Sequence, residues 1–168
     1  KIVNNVLQLN RRNISKPESI DISEFLHKFL EGFCHTENID KEVFVITSPK
    51  NLLVHFDRDH LNQILWNLCR NAWRHCHKQS SSIHFEITTA PTNEHNIVMD
   101  FMDDGTGVKT NQIKQLFEPF FTTAPNGTGL GLYIARELCE ANQASLDYIA
   151  GSSGGHFRII CTSNQSCL

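Results

Sequence analysis

The stretch Asn126–Asn142, NGTGLGLYIARELCEAN, packs Gly127, Gly129 and Gly131 into five positions and then runs directly into a helical pattern. A turn almost free of side chains, feeding the start of a helix, suits a phosphate. The first N–H groups of a helix have no intrahelical partner and carry a partial positive charge. The same glycines also serve a tight turn or close packing, so the loop alone leaves both readings open.

The elements around this loop are read from periodicity. Downstream, strands are expected at about 145–150 and 156–162. Upstream, FEPFFTTAPNGTGLGL is a loop, preceded by a short helical stretch at 109–117 and by DDGTGV. Strands IHFEITT (83–89) and NIVMDFM (96–102) are joined by a polar turn. The segment RDHLNQILWNLCRNAWRHC, capped by Asp57, buries Leu61, Leu65, Leu68 and Ala72 at helical spacing, with Gln63, Asn67, Asn71 and Arg74 beside that face. Two β-like runs, 43–47 and 52–56, flank the turn SPKN. Before them Asp21 and Glu24 form a capping box for a helix carrying Ile22, Phe25, Leu26, Phe29, Leu30 and Phe33. Residues 14–20, with Pro17, read as a linker, and Ile2, Val6 and Leu9 mark residues 1–13 as the end of another helix. This order predicts an α+β fold, a two-layer α/β sandwich whose mixed sheet carries helices on one face, over residues 21–168.

Bulk properties remove several classes. A formal net charge of −3 with no basic stripe argues against nucleic acid as the partner. No apolar run approaches the ~18 residues of a membrane span, and no signal peptide is seen. The chain opens at Lys1, which reads as a piece of a longer protein whose remainder could hold a membrane anchor. The six cysteines include no CxxC, so they read as reduced thiols of a cytosolic domain. In His75-Cys76-His77, alternate residues of a helix do not face one another, which disfavours a metal site.

Four motifs stand in order: NLCRNAWR (67–74), DDGTG (103–107), LFEPFFTT (116–123) and GTGLGL (127–132). Together they resemble the N, G1, F and G2 boxes of sensor histidine kinases, in the superfamily shared with gyrase, the Hsp90 chaperones and MutL. The resemblance spans about residues 22–162 and implies a Bergerat-type ATP-binding fold. YIARELCEANQASLDY and the short loop between the last two boxes look closest to the nitrogen-regulation and type IV pilus branch. The opening NNVLQLNRR resembles the end of the dimerisation and phosphoacceptor hairpin of such kinases.

The resemblance implies ATP and Mg²⁺ as cofactors. Asn71 would give its side-chain oxygen to Mg²⁺, a hard cation suited to oxygen ligands, and Asn67 and Arg74 share its helix face. Arg74 stands where the family has a phosphate-reaching cation. The Asp103 carboxylate would accept a hydrogen bond from the adenine amino group, with Gly105 and Gly107 letting the backbone pass close to the base. Thr122, Thr123, Gly127, Thr128, Gly129, Leu130 and Gly131 would form the nucleotide lid and meet the phosphates. Leu130, Ile134 and Ala141 would anchor the last helix. Asp104 stands where the family often has Asn.

Three departures sharpen the expectation. None of the nine histidines lies in the H-[ED]-x-x-x-P-like context of the phosphoacceptor, so the acceptor is expected on a hairpin outside this chain. No Lys or Arg lies between Lys114 and Arg136, and Ala124 stands where the branch often has a lid Lys, which implies weak nucleotide affinity and a lid that moves without ligand. Asn67 occupies the place of the general-base Glu of hydrolytic members, which favours phosphoryl transfer over hydrolysis; Glu118 and Glu140 are the remaining candidate bases. The expected function is the catalytic domain of a two-component sensor histidine kinase, passing phosphoryl to a response regulator of the enhancer-binding activator class. This chain is expected to be a monomer and the full-length protein a homodimer, on the cytoplasmic side of a membrane-anchored bacterial sensor. The alternatives are a degenerate nucleotide-binding module without transfer and an ATP-driven clamp.

Overall fold

A computed structural model describes residues 15–90, 93–125 and 127–163. The helical reading of residues 1–13 lies outside the described residues, as do residues 91–92 of the polar turn expected between 89 and 96; the rest of that turn belongs to the strands. Strand β1 (Glu18–Asp21) leads into α1 (Ile22–Glu37), where Asp21 accepts the Glu24 N–H at 3.0 Å. The helix ends at Asn38, whose φ of 54° takes the left-handed conformation that stops helices. Strands β2 (Phe44–Thr47) and β3 (Leu53–Phe56) follow, then α2 (Arg58–His75). Asp57 starts α2 by accepting the N–H groups of Asp59 and His60, each at 3.0 Å. Strands β4 (Ile83–Ala90) and β5 (Asn93–Asp103) form a hairpin. After the loop come α3 (Gly131–Ala141), β6 (Ser145–Tyr148) and β7 (His156–Thr162).

Five strands make one mixed sheet in the order β2-β4-β5-β7-β6, with β2 parallel to β4 and the other neighbours antiparallel. The period-2 alternation of β4 buries Ile83, Phe85 and Ile87 and leaves His84 and Glu86 exposed. These side chains join Ile97, Met99, Phe101, Phe157 and Ile159 against Phe29, Phe33, Leu61, Ile64, Leu65, Ala135 and Cys139 of the helices. The α+β sandwich is therefore as expected. On the opposite face of the sheet, Asp100 of β5 accepts from Arg158 (2.8 and 3.0 Å) and meets His156 Nε2 at 2.6 Å. The five described cysteines are free and buried.

Several local readings are corrected. Residues 18–20, read as linker, belong to β1, which pairs antiparallel with β3 in a separate two-stranded sheet. Only Ile20 of that strand is buried, so no period-2 signal marked it. The two runs around SPKN consequently lie in different sheets. The stretch 109–117 holds only a 3₁₀ turn, Ile113–Gln115, because Leu116 alone among its apolar residues is fully buried. Ala141 is exposed, and Ala135 and Cys139 anchor α3 with Leu130 and Ile134.

Candidate functional site

Between α2, the end of β5, the loop 107–129 and the start of α3 lies a cleft of about 540 Å³. Its floor follows from the helical repeat. At ~100° per residue, Gln63, Asn67, Arg70, Asn71 and Arg74 fall within roughly a 100° arc of α2, and all five line the cleft. Among the described residues, the side chains of Asn67, Asn71 and Arg74 make no hydrogen bond or ion pair. These three polar side chains, half-buried or exposed on one face of a rigid helix, make no contact that the fold needs and are free to meet a ligand.

One end of the cleft is built around Asp103. Its Oδ1 accepts the N–H groups of Gly105 at 2.9 Å and Gly155 at 3.3 Å. Burial pushes this carboxyl above its ordinary range, although the two N–H groups and nearby His75 favour the ionised form. The backbone around it admits no side chains. A Cβ on Gly105 would lie 2.4 Å from the His75 carbonyl oxygen, and one on Gly155 would lie 2.2 Å from Asp103 Oδ2. Gly107 has a φ of +67° and passes beneath Tyr148, whose hydroxyl accepts the Val108 N–H at 2.9 Å. Asp103 lines the cleft, where its carboxylate, acceptor-only when ionised, suits an amine donor.

The other end is the start of α3. No side chain caps this helix, whereas Asp21 and Asp57 cap the other two. The unpartnered first N–H groups attract an anion, and a capping carboxylate there would repel one. A Cβ on Gly131 would sit 3.3 Å from Asn67 Oδ1, so glycine keeps α2 and the α3 start in close approach. The lid folds on itself: Phe120 donates to the Gly129 carbonyl at 2.9 Å, and Thr122 Oγ1 accepts the Ala124 N–H at 3.1 Å. Gly129 has a φ of +66°, and a Cβ there would collide with Phe120 at 2.3 Å.

The expected site residues largely meet. Asn67, Asn71, Arg74, Asp103, Gly107, Thr122, Thr123, Gly127, Thr128, Gly129 and Gly131 all line the cleft. Gly105 lies outside the lining as backbone support, and the Leu130 side chain is buried, so only the Leu130 backbone is near the start of α3. Glu118 and Glu140 do not line the cleft. Asp104 is structural: it accepts the His77 N–H and the Ser82 hydroxyl, each at 2.8 Å, tying the end of α2 to β4. Gly155, Tyr148 and Arg70 were missed. The Gly154-Gly155 pair was the available signal, since adjacent glycines before a strand mark a close backbone approach.

Residues 56–165 match the family model described as "Histidine kinase-, DNA gyrase B-, and HSP90-like ATPase". The chain belongs to this family. This ATPase domain is 38% identical over 160 residues to the sensor protein kinase PilS of Pseudomonas aeruginosa, covering 94% of the chain and 30% of that protein. It is 30% identical over 155 residues to the sensor protein FixL of Bradyrhizobium diazoefficiens, covering 89% and 30%. The chain thus spans about a third of the length of these relatives. Among solved structures, full-length ShkA in complex with AMPPNP aligns with a TM-score of 0.77 at 22% identity, over 99% of this chain and 36% of that one. The mycobacterial sensor histidine kinase MprB aligns at 0.71 and 22% identity, over 88% and 98%. These structures share the fold of the ATPase domain.

Proposed function

We propose that this ATPase domain binds Mg·ATP in the α2–α3 cleft and transfers the γ-phosphoryl to a histidine on a dimerisation hairpin, for relay to a response regulator. The observation that carries the reading is the set of unpartnered side chains, Asn67, Asn71 and Arg74, aligned on α2 opposite the uncapped start of α3. Asp103 takes the adenine amino group, with Gly105 and Gly155 orienting its carboxylate. Asn71 would hold Mg²⁺ through its side-chain oxygen, and the bound ion would neutralise phosphate charge. Arg74 adds a cation, and the α3 N–H groups receive phosphate oxygens. The protein's contribution to catalysis is placement and charge stabilisation, because phosphoryl transfer to an imidazole nitrogen needs no strong base from this domain. Asn67 cannot take a proton from water, which disfavours hydrolysis.

The acceptor histidine, in this reading, lies outside this chain. Residues 1–13 would end the hairpin helix, and the full-length protein would be a homodimeric membrane-anchored sensor with this domain on the cytoplasmic side. Among the described residues no helix is long and apolar enough to cross a membrane. The regulator would be of the enhancer-binding activator class, and this chain alone a monomer. Incubating the full-length protein with γ-labelled ATP tests the proposal. Acid-labile, alkali-stable label that disappears in Asn71→Ala supports it. ATP binding with no labelled histidine supports the second reading, a nucleotide-binding module without transfer, which the cation-free lid favours.

A further inference from the structure

The cleft has a cationic residue that the motif pattern does not single out. Arg70 lies one helical turn before Arg74 and lines the cleft. Helical side chains lean toward the N-terminus of their helix. The Arg70 guanidinium accordingly lies over the Trp66 ring, 5.1 Å from its centroid, and Trp66 precedes Asn67, whose Oδ1 faces the start of α3 at Gly131. Its Nε and Nη2 both donate to Glu37 Oε1 at the end of α1, at 3.0 and 2.5 Å. The lid brings no Lys or Arg. Among the described lining residues, Arg70, Arg74 and His75 are therefore the only basic side chains, and Arg70 is the one nearest Asn67 along α2.

We propose that Arg70 is a phosphate-binding residue for the terminal phosphate of the nucleotide, held in reserve by Glu37. This rests on the nucleotide reading of the cleft and adds to it a source of positive charge in place of the lid. Trp66 fixes the guanidinium plane, and Glu37 neutralises it in the absence of nucleotide. Arg70 is the solvated partner of the pair, 59% exposed against 25% for Glu37, so it is the side chain free to exchange. A triphosphate brings more negative charge than the Glu37 carboxylate, so the guanidinium turns from Glu37 to the terminal phosphate. A diphosphate falls short of that position.

The test is calorimetric titration of this chain with AMPPNP and with ADP, each with Mg²⁺, for wild type, Arg70→Gln and Glu37→Gln. Arg70→Gln is expected to weaken AMPPNP about ten-fold, the worth of one hydrogen bond to a charged group, with ADP within about two-fold. Glu37→Gln removes the competitor and is expected to tighten AMPPNP about three-fold, the scale of an exposed ion pair, with ADP unchanged. A purely structural tie between α1 and α2 would lower Tm in both variants and leave the AMPPNP-to-ADP ratio unmoved; that result overturns the proposal. Should Arg70→Gln fail to fold, a Glu37→Gln protein with unchanged AMPPNP affinity overturns it equally. Wild type that binds ADP and AMPPNP, with both variants unchanged, leaves the nucleotide site standing and removes Arg70 from it. Wild type that binds neither nucleotide overturns both.

Discussion

Replacing Gly155 with alanine tests the base end of the cleft through a single methyl group. The Gly155 φ lies outside the left-handed region, so the alanine backbone is unstrained and only its methyl matters. That carbon would fall 2.2 Å from Asp103 Oδ2 and 3.1 Å from Cγ, inside a contact distance of about 3.5 Å. The carboxylate must swing away and release the N–H groups of Gly105 and Gly155, now 2.9 and 3.3 Å from Oδ1. Overpacking of this kind costs about 1–3 kcal/mol, which lowers Tm by roughly 2–12 °C for a chain of this size. Loss of a hydrogen bond to a charged acceptor is worth about 1.5–3 kcal/mol, so ATP binding should weaken roughly ten- to a hundred-fold. Calorimetric titration and thermal melting read the two effects on one sample. A folded Gly155→Ala protein that binds ATP within about two-fold of wild type would refute the reasoning. Gly154→Ala is a different case, because its methyl would lie 1.8 Å from the Asp103 backbone oxygen, and the fold itself should fail.

Three further outcomes are expected. Burial raises the Asp103 carboxyl above its ordinary value of 3.8, so its contribution to stability is present at low pH and lost as pH rises through the raised value. ATP affinity runs the other way, rising with pH through that same value, and binding titrations across pH should show this limb in wild type and not in Asp103→Asn. Burial pushes the Asp100 carboxyl up, but Arg158 and His156 together hold it below its ordinary range, so its stabilisation is present at neutral pH and lost as pH falls through the depressed value. Asp100→Asn should cost about 2 kcal/mol, below the ~3–5 kcal/mol for removing one partner of a fully buried pair because Arg158 is partly exposed, and should flatten the acid limb of the melting profile. Gly32→Ala, on α1 with nothing within 4 Å of the new methyl, should stabilise by about 0.5–1 kcal/mol without changing nucleotide affinity.

The long periodic elements were legible because their burial is one-sided: α1, α2, β4 and the core of β5 follow their apolar spacing directly. The site was legible where side chains carry the chemistry, as with Asn67, Asn71 and Asp103. It was not legible where backbone does. Gly155 matters through its own N–H and its missing Cβ, and Tyr148 acts on a loop 40 residues away in sequence. Strand β1 was hidden because one buried isoleucine gives no period. Arg70 escaped because motif spacing points to Asn71 and Arg74, whereas its place beside the cleft depends on Trp66 and Glu37, which only the packed helices bring together.

The most direct test of the central claim is calorimetric titration of this chain with AMPPNP, with and without Mg²⁺, beside Asn71→Ala and Asp103→Ala. The account predicts Mg²⁺-dependent binding in wild type, loss of the Mg²⁺ dependence in Asn71→Ala, and loss of binding in Asp103→Ala. Binding by folded variants indistinguishable from wild type would contradict the assignment of metal and base to this cleft.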